Sequence, residues 1–271
     1  MISEPIIMTA YLTYKGKNIR YQVRGDGHCI VLLHGFLENL DMWKYHVLKL
    51  SEKYKVLTVD LPGFGGSQCI GQVHLMEEMA LVVNKVLQEE KIKKCLMIGH
   101  SMGGYVTLAY AKKFPGKLKG FGLFHSHALP DTPEAKQNRD RAIDIVRSDR
   151  GLFIVNFFPE LFAPENVEKY RKEIRQMHLE AMETSPNAII ASLEGMKNRA
   201  NNLDVLINAR VPVLFILGKK DSRVPFEKTL AQASLPTSSE IIVLGEAGHM
   251  GHIEARKETL QAIEGFAEKV F

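Results

Sequence analysis

The run Gly99-His100-Ser101-Met102-Gly103-Gly104 constrains this chain more than any other stretch, because it ends one apolar segment and begins another. Before it, Cys95-Leu96-Met97-Ile98 reads as a short buried strand; after it, Tyr105 to Phe114 reads as a helix that Pro115 stops. Ser101 therefore sits at a strand-turn-helix corner, with glycine two residues to either side in a G-x-S-x-G arrangement. A serine held in so sharp a turn leaves no room for side chains at these neighbours.

The flanks of this corner repeat its logic. Ala10 to Tyr14, Asn18 to Arg24 and Cys29 to Leu33 read as strands, the first two linked by the turn-like Lys15-Gly16-Lys17. Ile19, Tyr21 and Val23 alternate with polar residues, so these first strands are expected to be antiparallel with one buried face. Cys29 to Leu33 is apolar throughout, as a strand covered on both faces should be. A helical segment around Met42 to Lys53, a strand Lys55 to Val59 and a helix Met76 to Glu90 follow. Strand and helix thus alternate up to Ser101, which argues for a parallel sheet with helices on both faces. Gly120 to Phe124 is a sixth strand, ending at His125-Ser126-His127. From Ala128 to about Asn208 no strand is expected; helical segments Pro133 to Arg147 and Pro164 to Glu183 enclose the apolar run Leu152 to Phe158. Strands resume at Val211 to Leu217 and Glu240 to Leu244, and an amphipathic helix from Glu254 to Val270 closes the chain. The expected division is a core of residues 1–127 and 209–271 with a helical insertion at 128–208.

At 271 residues the chain can bury a full core. Net charge is +4, but the basic residues are dispersed along solvated element ends such as Lys91 to Lys94, which speaks against nucleic-acid binding. No apolar run approaches the roughly 20 residues that span a bilayer. Met1 to Thr9 lacks the basic and apolar regions of a secretory signal. Cys29, Cys69 and Cys95 are few, odd in number and without metal-ligand spacing, so inert thiols and a cytoplasmic setting are expected.

A serine hydroxyl is a poor nucleophile at neutral pH and needs a histidine base, itself oriented by an acid. Of ten histidines, His249 is best placed, in a glycine-rich loop directly after the last strand; His252 is its rival. His100 adjoins Ser101 but is expected to pack behind the turn. Asp221 follows the strand Val213 to Leu217 at the sheet end where ligands bind open α/β sheets, with Glu246 as second candidate. An oxyanion formed on acyl transfer needs two preorganised N–H donors. Met102, at the start of a helix, supplies one; Phe36, in His34-Gly35-Phe36 after the strand ending at Leu33, supplies the other.

With these residues in place the chain resembles the α/β-hydrolase superfamily. The resemblance rests on His34-Gly35-Phe36 with Trp43 downstream, Asp60-Leu61-Pro62-Gly63-Phe64-Gly65-Gly66-Ser67, the Gly99 to Gly104 elbow, Asp221 and Gly248-His249, and so covers essentially the whole chain. It implies an eight-stranded, mostly parallel sheet, a helical cap formed by the insertion, a Ser101–Asp221–His249 triad, and neither cofactor nor metal. Serine at 101 argues against the dehalogenase and epoxide-hydrolase branches, which carry aspartate there. His34, Gly35, His125, Phe153, Phe157 and Phe158 are candidate substrate contacts, and Phe162, Met177, Met182 and Met196 extend the apolar stripe. The expected activity is hydrolysis of a small to medium ester or thioester by water. C–C hydrolysis of vinylogous diketones, cofactor-free peracid formation and a hydrolase-fold small-molecule receptor are the alternatives.

Overall fold

A computed structural model describes residues 8–271; the absence of a signal at the extreme N-terminus therefore falls largely outside the described residues. The strands are β1 (Met8–Tyr14), β2 (Lys17–Arg24), β3 (Cys29–Leu33), β4 (Lys55–Val59), β5 (Cys95–His100), β6 (Leu118–Phe124), β7 (Val213–Gly218) and β8 (Ser239–Leu244). They form one eight-stranded sheet in the order β1-β2-β4-β3-β5-β6-β7-β8. β2 pairs antiparallel with both β1 and β4, and every other pair is parallel. The expected mostly parallel sheet is thus present.

Side-chain alternation divides the core. Ile30, Leu32, Leu96 and Ile98 point to one face, where they meet Val47 and Leu50 of α1 (Lys44–Leu50) and Ile263 and Phe266 of α10 (Arg256–Val270). Val31, Leu33 and Met97 point to the other, against α2 (Met76–Glu89) and α3 (Met102–Lys113), where Met79, Val83, Val106 and Tyr110 are buried. A strand buried on both faces has no polar position to spare, which is why the central strands are continuous apolar runs. β8 differs: it is an edge strand, and Ile241 and Val243 stay partly exposed.

Between β6 and β7 the described residues form only helices: α4 (Pro133–Phe157), α5 (Arg171–Met182), α6 (Pro186–Lys197) and α7 (Leu203–Ile207), with short 3-10 turns. The run Leu152 to Phe158 is not a separate segment. Its residues to Phe157 are the last turns of α4, which kinks at Asp149, where φ is −151° and ψ is 90°. The closing helix is likewise divided, α9 (Gly251–Glu254) from α10, by non-helical dihedrals at Ala255, φ −137° and ψ 49°. The remaining helix, α8 (Phe226–Gln232), follows β7. Among the described residues no helix is long and apolar enough to cross a membrane.

Candidate active site

β5 ends at His100 and α3 begins at Met102, leaving Ser101 alone at the corner with φ 51° and ψ −114°. A non-glycine residue in the left-handed region is strained, and such strain persists only where neighbours enforce it. Here the Ser101 N–H donates to Phe124 O at 2.9 Å and the Ser126 hydroxyl donates to Ser101 O at 2.8 Å. The glycines are required by contact: a Cβ on Gly99 would lie 2.1 Å from Gly103 O, and one on Gly103 would lie 2.6 Å from Leu33 O.

The loops after β7 and β8 bring two distant groups to this serine. His249 Nε2 lies 2.8 Å from Ser101 Oγ, and His249 Nδ1 lies 2.9 and 3.0 Å from the two Asp221 carboxylate oxygens. With Nδ1–H donating to the carboxylate, Nε2 of the neutral ring accepts the Ser101 proton. Asp221 Oδ1 also accepts the N–H groups of Arg223 and Val224, at 2.8 and 2.9 Å. Burial alone would raise the Asp221 carboxyl, but the His249 and His125 rings that lie against it and hydrogen-bond to it hold it well below its ordinary value. A hydroxyl, imidazole and carboxylate in this order can deliver a serine oxygen to a carbonyl.

The rivals fall elsewhere. His252 lies 3.6 Å from Glu38 Oε1, and Glu246 is an exposed partner of Lys220 at 2.5 Å. The N–H groups of Phe36 and Met102 have no hydrogen-bond acceptor among the described residues.

Ser101, His249 and Phe36 line a cavity of about 680 Å³, with Phe153, Phe157 and Met196 on its wall. The other candidate contacts lie off it. His34 is fully buried; its Nδ1–H donates to Gly35 O at 2.7 Å, and Nε2 accepts the Leu61 N–H at 2.8 Å, so both nitrogens are spent on backbone, in its own loop and in the loop after β4. Gly35 backs onto Glu38 and His100, where a Cβ would lie 2.4 Å from Glu38 Oε2. Phe158 is buried between Phe157 and His178, and Phe162 is buried against Tyr170. Met177 lines a second, smaller cavity, and Met182 is partly exposed. His125 donates from Nδ1 to Asp221 Oδ2 at 3.0 Å, on the carboxylate that His249 also uses. Burial pushes this ring down to about 4, so it is a neutral second donor that helps hold the acid.

Residues 30–262 match the sequence profile of the Alpha/beta hydrolase family. The chain belongs to the alpha/beta hydrolase family. A thermophilic esterase from Thermogutta terrifontis, solved with malate bound, superposes with a TM-score of 0.90 at 30% identity, covering 99% of each chain. A pimeloyl-[acyl-carrier protein] methyl ester esterase from Aeromonas hydrophila subsp. hydrophila is 29% identical over 89% of this chain and 96% of its own length. The dihydrolipoyllysine-residue acetyltransferase component of the acetoin cleaving system of Pseudomonas putida is 28% identical over 92% of this chain, which spans 66% of that protein.

Beneath the elbow this hydrolase carries a layer with no motif to announce it. Glu38 Oε2 accepts the Gly35 N–H at 2.9 Å and the His100 Nδ1–H at 2.9 Å, while His100 Nε2–H donates to His249 O at 2.9 Å. Both nitrogens of His100 donate, so the ring is a cation: burial lowers its pKa, but Glu38 overcomes this and raises it. Burial also opposes the Glu38 carboxylate, yet His100 above all draws it down to about 2. Glu254 ties the other side of the His249 loop: Oε2 accepts Gly248 N–H at 3.0 Å and Met250 N–H at 3.2 Å, and Oε1 accepts Ala163 N–H at 2.9 Å. Two three-donor clusters, Glu38–His100–His252 and His125–Asp221–His249, could in principle hold a metal ion. Hydrogen bonds already occupy both nitrogens of His100 and the Nδ1 atoms of His125 and His249, which an ion would have to displace.

Proposed function

We propose that the protein is a serine hydrolase that cleaves a small to medium carboxylic ester or thioester through an acyl-enzyme. The observation that carries this reading is the strained Ser101, 2.8 Å from His249 Nε2 with His249 Nδ1 on Asp221, at the wall of a cavity large enough for such a substrate. Ser101 Oγ attacks the carbonyl carbon as its proton passes to His249 Nε2. The leaving alcohol or thiol takes that proton as its bond to the carbonyl breaks. Water, deprotonated in turn by His249, attacks the acyl-enzyme and releases the acid and Ser101. Asp221 holds His249 and stabilises the transient imidazolium. The unbonded N–H groups of Phe36 and Met102 receive the oxyanion in this scheme, Met102 from the positive end of α3. Residues 128–208 act as a cap that shapes the acyl pocket. Ester and water are the only reactants required. A cytoplasmic setting fits three unpaired thiols, two of them buried. The Thermogutta and Aeromonas relatives are both esterases, which supports the reaction class.

The test is hydrolysis of p-nitrophenyl esters from acetate to laurate, with Ser101→Ala alongside and a fluorophosphonate to mark the nucleophile. Label on Ser101 with many turnovers is the expected result. Label on Ser101 with no turnover beyond one equivalent would replace ester hydrolysis by C–C hydrolysis or a receptor role.

A further inference from the structure

One part of the cavity wall, which otherwise mixes apolar and polar side chains, gathers two cations around one acid. Two guanidiniums, Arg139 of α4 and Arg199 just after α6, converge on the single carboxylate of Asp131. Arg199 Nη1 donates to Asp131 Oδ1 at 2.5 Å and to Met196 O at 3.0 Å, and its Nε donates to Leu129 O at 3.1 Å. Its Nη2 meets no acceptor among the described residues, although the side chain is only 4% exposed. Arg139 spends Nε and Nη2 on Asp131, leaving Nη1 against the sulfur of Met196 at 3.6 Å, a weak acceptor.

The neighbouring charges do not cancel this surplus. Arg223 is matched by Glu160 at 2.5 Å, Glu38 is matched by His100, and Lys228 has no ion pair among the described residues. The Arg199 guanidinium also lies over the Tyr105 ring, 4.2 Å from its centre, which holds its plane in place. His127 beside Tyr105 accepts the Leu129 N–H through Nδ1, so its Nε2–H is a further donor.

A buried, oriented guanidinium with an open edge and one surplus positive charge fits a planar monoanion. We infer that Arg199 and Arg139, set by Asp131, form a carboxylate-binding subsite in the cavity, and that the substrate is an ester whose acyl chain ends in a second, free carboxylate: a half-ester of an aliphatic dicarboxylic acid. The inference rests on the ester-hydrolase reading above. The apolar wall of Phe153, Phe157 and Met196 takes the methylene spacer, and the guanidiniums select the far end.

The experiment compares monomethyl adipate with methyl 6-methylheptanoate, its neutral branched isostere, on the wild-type protein, Arg139→Gln and Arg199→Gln. The wild type should favour the acid ester in kcat/KM by on the order of tenfold or more, through KM, and each substitution should collapse that ratio. A wild-type ratio at or below one, with the neutral ester turned over, overturns the subsite and leaves the esterase reading standing. If neither ester is cleaved and fluorophosphonate fails to label Ser101, the esterase reading fails instead. The subsite is then decided without turnover, by calorimetric binding of adipate and hexanoate to Ser101→Ala: tighter adipate binding supports it, and equal or weaker binding overturns it. The same measurement on Arg139→Gln serves if Arg199→Gln does not fold.

Discussion

The loops at the carboxyl end of the sheet and the helical segment packed against them are held by different means. The loops carrying Gly35, Ser101, His125 and His249 are buried and tied to one another by hydrogen bonds that His100 and Ser126 donate and Glu38 and Asp221 accept. The helices between β6 and β7 leave Leu152, Val155 and Leu179 more than half exposed, and α4 is kinked at Asp149. In the reaction proposed above, attack on a carbonyl demands atoms held to within tenths of an ångström, whereas a pocket wall needs only shape and a few polar anchors. The difference teaches where change is tolerated: substitutions in the loops should abolish rate or fold, and substitutions in the helical wall should redistribute substrate preference.

The largest effect that tests this division is Ser101→Ala, expected to lower kcat on the order of 10⁶-fold, with the melting temperature held or raised as the strained hydroxyl corner loses its polar group. Retention of most activity would remove the loops from the chemistry. Next is Glu38→Gln, which leaves His100 buried without its counter-charge. It should cost on the order of 3 kcal/mol in urea denaturation. An unchanged midpoint would mean that the layer beneath the elbow is not what holds these loops.

Acid should also find the sheet side first, since of ten histidines only His178 lies in the helices between β6 and β7. Burial lowers His46 to about 3 and His125 to about 4, so both are neutral in the folded protein. The unfolded chain takes up a proton at each near the ordinary value of about 6.5. Between that pH and about 4 the unfolded state binds more protons, so stability falls as pH is lowered, by about 1.4 kcal/mol per pH unit for each ring. Thermal melts at pH 7, 6 and 5 should show this decline; a flat profile would contradict neutral burial. The smallest effect is expected from Phe157→Ala, whose ring packs edge-on against Phe36 at 5.5 Å on the cavity wall. It should shift acyl-chain preference in kcat/KM by about tenfold with little change in melting temperature. A loss of all activity would move Phe157 from the wall to the machinery.

The sequence carried the architecture because its signals are local. Continuous apolar runs mark β3, β4 and β5 as two-sided strands, helical spacing marks α2, and glycines mark the corner at Ser101; each is a property of a few neighbouring residues. Asp221 and His249 were legible for the same reason, as polar residues in loops that directly follow strands. Boundaries inside the helical region were less so, because Leu152 to Phe157 has the same apolar composition as a free segment or as the end of a kinked helix.

What the tertiary structure alone decided are the partnerships. His100 meets Glu38 across 62 residues, His125 meets Asp221 across 96, and Arg199 meets Asp131 across 68. No periodicity or motif encodes such pairs, since they exist only once the sheet order has brought separate loops together. By itself the chain determined a doubly covered sheet with a serine at its sharpest turn. Which histidine is a cation, which phenylalanines face the cavity and where a surplus guanidinium stands open were settled by packing, because burial and proximity, not residue type, set the charge and the exposure of a side chain.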